Sequence, residues 1–248
     1  ILHICEDLTS GKIKILYVAP ERLESPEFCE IIKKINVSQV AVDEAHCVSQ
    51  WGHDFRVSYT YIWKFVESFD KRPVVTAFTA TATEEVRKDV VRQIKLNNPA
   101  IFISGFDRKN LKIGCLKIGN RFGYILKYIK TNEEQSGIIY ASTRKAVDMI
   151  YEKLKENDVS VTKYHAGLSD EERKNNQEDF VYDRVNVIVA TNAFGMGIDK
   201  SNVRYVIHYN IPKNIESYYQ EIGRAGRDGE NSECILMFAP QDVITQKY

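Results

Sequence analysis

Two adjacent acids, Asp43 and Glu44, follow an apolar run from Val37 to Val42 that reads as a buried strand. Acids at the carboxyl end of such a strand stand where parallel-sheet proteins bind ligands, in the crevice beyond the strand end. The first can hold a magnesium ion beside a nucleotide phosphate, and the second can polarise an attacking water. Ala45-His46 completes a nucleotide-hydrolase pattern, in which His46 relays nucleotide state to the neighbouring loops. Behind it comes Ser49-Gln50-Trp51-Gly52-His53-Asp54-Phe55-Arg56, a polar loop with two aromatics and a cation. That mixture suits unstacked bases and phosphates. Together the residues point to ATP turnover coupled to a nucleic acid.

Four further segments carry candidate chemistry. Thr76 to Thr83 alternates small hydroxyls at the end of the next strand. Thr79 and Thr81 are candidates for a hydroxyl bridge from the acid motif to the nucleic acid path, and Thr83 reads as a helix N-cap. Ala190 to Lys200 follows another buried strand and contains Gly195-Met196-Gly197, which is either a tight turn or an amide nest for an anion. There Thr191 is placed on a strand phosphate, and Asp199 either accepts from a ribose hydroxyl or orders the loop. Gln220 to Gly229 sets Arg224 and Arg227 three apart among glycines, projecting one way if the segment is helical. Arginine there can stabilise charge on a transferring phosphoryl group. Ser142 and Arg144, at the end of Gly137–Tyr140, suit phosphate positioning or an ordinary helix cap. His165 reads as a strand exit rather than a catalyst.

The elements that must position these residues alternate. Lys14–Ala19, the run into Asp43, and Pro73–Thr79 read as strands, with helices over Glu27–Lys34, Tyr59–Phe69 and Thr83–Ile94. A basic stretch from Gly105 to Gly119 breaks the rhythm, and the boundary falls there, giving units 1–104 and 105–248. The second half repeats the pattern: helices over Arg121–Ile129, Arg144–Asn157 and Ser169–Phe180. Its strands are Gly137–Tyr140, Val159–Tyr164, Asn186–Ala190, Arg204–His208 and Glu233–Phe238. The expected class is α/β, two parallel sheets with helices on their faces.

The 248 residues carry 34 basic and 34 acidic side chains, so any nucleic acid contact must come from local placement of cations. Five scattered cysteines without a Cys-x-x-Cys pair argue against a zinc site and for a reducing cytoplasm. No apolar run approaches a membrane span, about 20 residues. The sequence sets no oligomeric state.

On these motifs, from Tyr17 to about Phe238, the chain resembles RecQ-type helicases of superfamily 2. The loop from Ser49 to Arg56 is the most specific part of the likeness. The resemblance implies two RecA-like domains that close on ATP and move along single-stranded DNA, unwinding duplex 3′ to 5′, in the cytoplasm or on a bacterial nucleoid. It implies Asp43 on magnesium, Glu44 as general base, and Arg224 with Arg227 at the γ-phosphate. Gly197, Asp199 and Gln220 then join the nucleotide site, and Trp51, Phe55 and Arg56 form the DNA-sensing loop with Ser49, Gln50 and His53. Phe106-Asp107-Arg108-Lys109-Asn110 matches the entry to the second domain, with Lys109 where proline is usual, as Ser201 also is.

No G-x-x-x-x-G-K-[ST] loop is present; Gly11-Lys12-Ile13 lacks the upstream glycine and the hydroxyl. The expectation is an internal piece of a longer helicase, its first domain incomplete at the N-terminus and inactive alone. Two other readings are weighed: a nucleic-acid-binding module without turnover, and an RNA helicase with the same acid box. The four groups Asp43, Glu44, Arg224 and Arg227 stand against the first, and the Trp51–Arg56 loop against the second.

Overall fold

The first element of the chain, α1 (Leu2–Thr9), is followed by α2 (Pro26–Lys33), β1 (Gln39–Val42), α3 (Ile62–Glu67), β2 (Val74–Ala77) and α4 (Glu84–Gln93). Next come β3 (Leu111–Lys117), α5 (Arg121–Thr131), β4 (Ser136–Tyr140), α6 (Arg144–Lys155), β5 (Val161–Tyr164) and α7 (Asp170–Val181). The chain ends with β6 (Val187–Ala190), β7 (Val203–His208), α8 (Ile215–Ile222) and β8 (Ser232–Phe238). This is a computed structural model, and it describes residues 2–51, 54–105, 107–195, 198–239 and 242. The chain divides into two units, 1–104 and 105–248.

Local chemistry starts the helices. Side-chain oxygens of Ser25, Thr83, Asn120, Thr143, Ser169 and Asn214 each accept a backbone N–H of the first turn, meeting donors that the helix itself leaves unpaired. Ser169 and Glu172 form a reciprocal capping box.

In the first unit β1 and β2 pair in parallel, Gln39 opposite Val74 and Val42 opposite Ala77. The pairing continues past both strands: Phe78 N–H donates to Val42 O and Ala45 N–H to Phe78 O, each at 2.8 Å. The acid motif and the threonine-rich strand end therefore leave the sheet side by side. The core beneath them joins Val42, Val48, Ile62, Val66, Val86 and Ile94.

Two strand expectations fail here. The run Lys14–Ala19 has no ladder partner among the described residues, and Ile15 and Tyr17 are exposed. An apolar pattern supplies side chains for a strand but cannot supply the neighbour whose backbone it must bond. The strand before Asp43 is not buried throughout: only Val42 is, because the core covers one face of this two-stranded sheet. Val74, Phe78 and Ile101 to Ile103 are exposed as well.

The second unit is a six-stranded sheet in the order β3-β8-β7-β4-β6-β5, with every pairing parallel. Side chains alternate between its faces. Ile139 packs with Ile125, Ile150 and Leu154 of α5 and α6. Ile138 and Tyr140 pack with Phe180 and Ile222 of α7 and α8. Helices thus cover both faces, as parallel sheets require.

Two elements escape the sequence reading. The stretch that reads only as a boundary holds β3, which pairs with β8 alone among described strands; its lysines are what a sheet edge tolerates, and Lys112 Nζ meets Glu233 at 2.9 Å. Residues 215–222 form α8, which ends at Ile222 and is capped by Gly223. The segment from Gln220 to Gly229 is therefore not one helix, since Gly226 and Gly229 have φ of +56° and +89° and turn the chain instead.

Candidate nucleotide and nucleic-acid site

The acid pair sits at a backbone inflection. Glu44 takes a left-handed conformation, φ 46° and ψ 43°, at a cost of roughly 1–3 kcal/mol for a non-glycine residue. The turn separates the two carboxylates: Asp43 is exposed, its Oδ1 accepting the Glu44 N–H at 2.9 Å. Glu44 Oε2 turns back to lie 3.3 Å from His46 Nδ1. Tyr59 fixes the inflection from below, its hydroxyl donating to Asp43 O at 3.2 Å. Burial pushes the Tyr59 phenol up to about 12, so it remains a donor at neutral pH.

His46 is buried in the short 3₁₀ turn Ala45–Val48, and its Nδ1 lies 2.9 Å from Thr79 Oγ1. Thr79 Oγ1 in turn lies 3.4 Å from the Thr81 backbone nitrogen. Acid motif and hydroxyl-rich strand end are thus joined through one imidazole.

The aromatic loop hangs from the same 3₁₀ turn. Arg56 N–H donates to Cys47 O at 2.9 Å and closes the loop at its base. Trp51 is 76% exposed, and Gln50 and Phe55 are exposed too, while Arg56 is half-buried and lies 3.3 Å from Asp54. Gly52 and the predicted contact His53 lie outside the described residues. Ser49 corrects the sequence reading: it is fully buried, so its hydroxyl faces the protein rather than a passing strand. That oxygen accepts the Trp51 N–H at 3.2 Å and is hydrogen-bonded to the buried carboxylate of Asp89 on α4. Burial alone would raise the Asp89 carboxyl, but the bonds from Ser49, Arg92 and Gln93 outweigh it and hold it below its ordinary value. Sequence reasoning misses Asp89, for an acid inside an otherwise ordinary helix gives no sign of a distant partner.

In the second unit the candidate residues fall into two groups. Ser142 and Arg144 are exposed after β4, the Ser142 N–H on Asn210 Oδ1 at 3.2 Å. Thr191, after β6, is buried, its N–H on Tyr164 O at 3.1 Å, so its hydroxyl offers little surface to a phosphate. His165 is held by Asp148, 3.2 Å from Nε2, and accepts the Gly167 N–H at 3.1 Å.

The second group lies along the face that α7 and α8 cover, beside the loop running from β6 to β7. Arg224 donates to Gly195 O, and Arg227 donates to Ile198 O at 2.8 Å and lies 3.7 Å from Asp199. Both guanidiniums converge on one loop although they stand on a turn. Tyr140, whose hydroxyl donates to Phe194 O at 3.1 Å and is raised by burial, sits against Arg224 from the sheet side. Lys200 is buried against Asp183 at 2.5 Å and pins the loop's far end. Gln220 is half-buried on α8, and Gly197 lies outside the described residues.

Among the described residues no three His, Cys, Asp or Glu side chains converge as a metal site, and no helix is long and apolar enough to cross a membrane.

Each of the two units matches a helicase family. Residues 3–90 match the DEAD/DEAH box helicase family and residues 120–229 the helicase conserved C-terminal domain. The ATP-dependent DNA helicase RecQ of Bacillus subtilis is 50% identical over 241 residues, 97% of this chain and 41% of that protein. RecQ of Pasteurella multocida is 44% identical over 95% of this chain and 37% of its own length. The chain is similar to these RecQ helicases along nearly all of its length and spans about two fifths of the length of these curated relatives. Solved helicases share the RecA-like fold. Mss116p bound to single-stranded RNA and AMP-PNP aligns with a TM-score of 0.71 at 21% identity, over 89% of this chain and 46% of that one. Dbp5 of S. cerevisiae bound to RNA and ADP BeF3 aligns with a TM-score of 0.67 at 22% identity, over 88% of this chain and 59% of that one.

Proposed function

We propose that these residues form the motor of an ATP-driven DNA helicase that works on single-stranded and duplex DNA, in the cytoplasm or on a bacterial nucleoid. One arrangement carries the reading. His46 joins the acid pair to Thr79 at 2.9 Å, and the turn that holds His46 also anchors the exposed Trp51–Arg56 loop. A change at the acids is passed through that turn to side chains suited to unstacked bases.

In this reading Asp43 would hold the magnesium carried by ATP, which would supply neutralisation of charge on the phosphates. Asp43 suits the ion because it is an exposed hard-oxygen donor, and nucleotide-borne magnesium needs only one or two protein carboxylates. Glu44 accepts a proton from the attacking water, and its contact with His46 orients it. Arg224 and Arg227 stabilise charge on the transferred phosphoryl group. Gly197, Asp199 and Gln220 complete the nucleotide contacts. Trp51 and Phe55 stack on bases, while Arg56, Ser142 and Arg144 meet the strand's phosphates.

The test uses the whole protein, because these residues contain no phosphate-cradling loop of their own. Strand separation is measured on matched DNA and RNA duplexes, with phosphate release followed in parallel. ATP-dependent opening of the DNA duplex, weakened by Trp51→Ala, is expected. Opening of the RNA duplex alone, or binding of DNA without turnover, would overturn the reading.

A further inference from the structure

A glycine-rich turn keeps its shape only through the groups bonded to it. The turn that carries Arg224 and Arg227 is bonded by the segment with which the second unit begins. Arg108 Nη2 donates to Ala225 O at 3.0 Å and to Gly226 O at 2.6 Å. Asn110 Nδ2 donates to Gly226 O at 2.8 Å and to Glu230 O at 2.9 Å. The two side chains are also joined, Arg108 Nε donating to Asn110 Oδ1 at 3.3 Å, which aims the amide nitrogen at the carbonyls. The main chain reinforces the same place: Ser232 N–H donates to Asn110 O and Gly226 N–H to Val203 O, both at 2.9 Å.

The turn is shaped around these donors. A Cβ on Gly226 would lie 2.5 Å from Asn110 Nδ2 and 2.7 Å from Glu230 O, and φ there is +56°. Ala225 and Gly226 are the two residues between the arginines, so fixing their peptides fixes the directions in which both side chains leave. A guanidinium is well matched to this role because its rigid plane lets Nη2 meet both carbonyls while Nε holds the Asn110 amide oxygen.

We infer that Arg108 and Asn110 are positioning residues for the arginine turn, holding its backbone so that Arg224 and Arg227 both reach the loop from Gly195 to Asp199. The inference rests on the reading of those arginines as groups acting on the nucleotide. It gives a role to the Asp107-Arg108-Lys109-Asn110 segment, which reads in the sequence only as an entrance to the second domain.

The test is steady-state ATP hydrolysis by the whole protein with saturating single-stranded DNA, for Arg108→Ala, Asn110→Asp, Arg224→Ala and the Arg108→Ala/Arg224→Ala double variant. Asn110→Asp is nearly isosteric and turns a donor into an acceptor facing two carbonyls. Losses in kcat on the order of 10- to 100-fold are expected for Arg108→Ala and Asn110→Asp, with KM for ATP changed no more than about twofold. In the Arg224→Ala background the Arg108 change should cost less than it does in the wild type, since of the two arginines it positions only Arg227 remains. Thermal melts identify any variant that does not fold, and Arg108→Lys, which keeps the charge but not the fork, then takes the place of Arg108→Ala. Normal kcat in folded Asn110→Asp, or losses that multiply in the double variant, would overturn the inference alone. Normal kcat in Arg224→Ala would overturn the reading of the arginines and the inference with it.

Discussion

Gly195 and Arg224 occupy one volume. The guanidinium lies where a side chain at residue 195 would begin: a Cβ there would sit 2.0 Å from Arg224 Nη2 and 2.3 Å from its Cζ, while Nη1 donates to the Gly195 carbonyl. Glycine at 195 is therefore the condition for the arginine's present position. Gly195→Ala must push the guanidinium aside while leaving its charge in the protein. The expected loss in kcat for ATP hydrolysis is on the order of 100-fold, close to that of Arg224→Ala measured beside it. Near-normal kcat in Gly195→Ala would show that Arg224 acts from somewhere else.

Glu44→Gln separates chemistry from binding. The amide keeps the size of the carboxylate but cannot take a proton from water, so kcat should fall about 10²- to 10⁴-fold. ATP affinity, read by equilibrium binding of a fluorescent nucleotide, should hold, because the magnesium contact is assigned to Asp43. Loss of binding instead of turnover would move the metal role onto Glu44.

Much of this is legible in the sequence because it is local. Helices announce themselves through their own first turns, as Thr83, Thr143 and Ser169 do. The buried strand β6 is an uninterrupted apolar run and β4 carries Ile138, Ile139 and Tyr140 in succession, while the acids after β1 follow the shorter run Val40-Ala41-Val42. What stays hidden depends on partners far along the chain. Lys14–Ala19 has the pattern of a strand and no neighbour among the described residues to pair with, whereas β3 has lysines and a glycine and pairs well. Ser49 looks like a loop hydroxyl until Asp89 is seen beneath it. The spacing of Arg224 and Arg227 suggests a helix, and the glycines around them instead make the turn that Arg108 and Asn110 fasten.

The cysteines divide by burial. Burial pushes the Cys47 thiol up to about 11 and the Cys234 thiol to about 12, whereas Cys115 is exposed on the edge strand β3. Alkylation needs the thiolate, and at pH 8 only about one Cys47 thiol in a thousand is ionised. Peptide mapping after brief treatment with a maleimide should find Cys115 modified, with Cys47 and Cys234 protected until denaturant is added. Prompt labelling of Cys47 would mean that the turn carrying His46 opens readily.

Asp89 links the pH response of the first unit to its aromatic loop. Its carboxyl is held below the ordinary value against the effect of burial, by bonds from Ser49, Arg92 and Gln93. A depressed folded-state pKa means stability that is fully present above the unfolded value of about 4 and is lost as pH falls through the folded value. Asp89→Ala removes the acceptor of a buried hydroxyl, at a cost of about 1–3 kcal/mol at neutral pH. Ser49 also holds the Trp51 N–H at 3.2 Å, so the damage should spread into the loop. Hydrogen exchange over residues 45–56 should accelerate in Asp89→Ala at pH 7, and DNA-stimulated hydrolysis should fall while basal hydrolysis changes less. The difference between wild type and variant should shrink as the wild-type carboxyl protonates below about pH 4. An exchange difference that persists undiminished at low pH would show that Asp89 supports the loop by filling space and not by its charge.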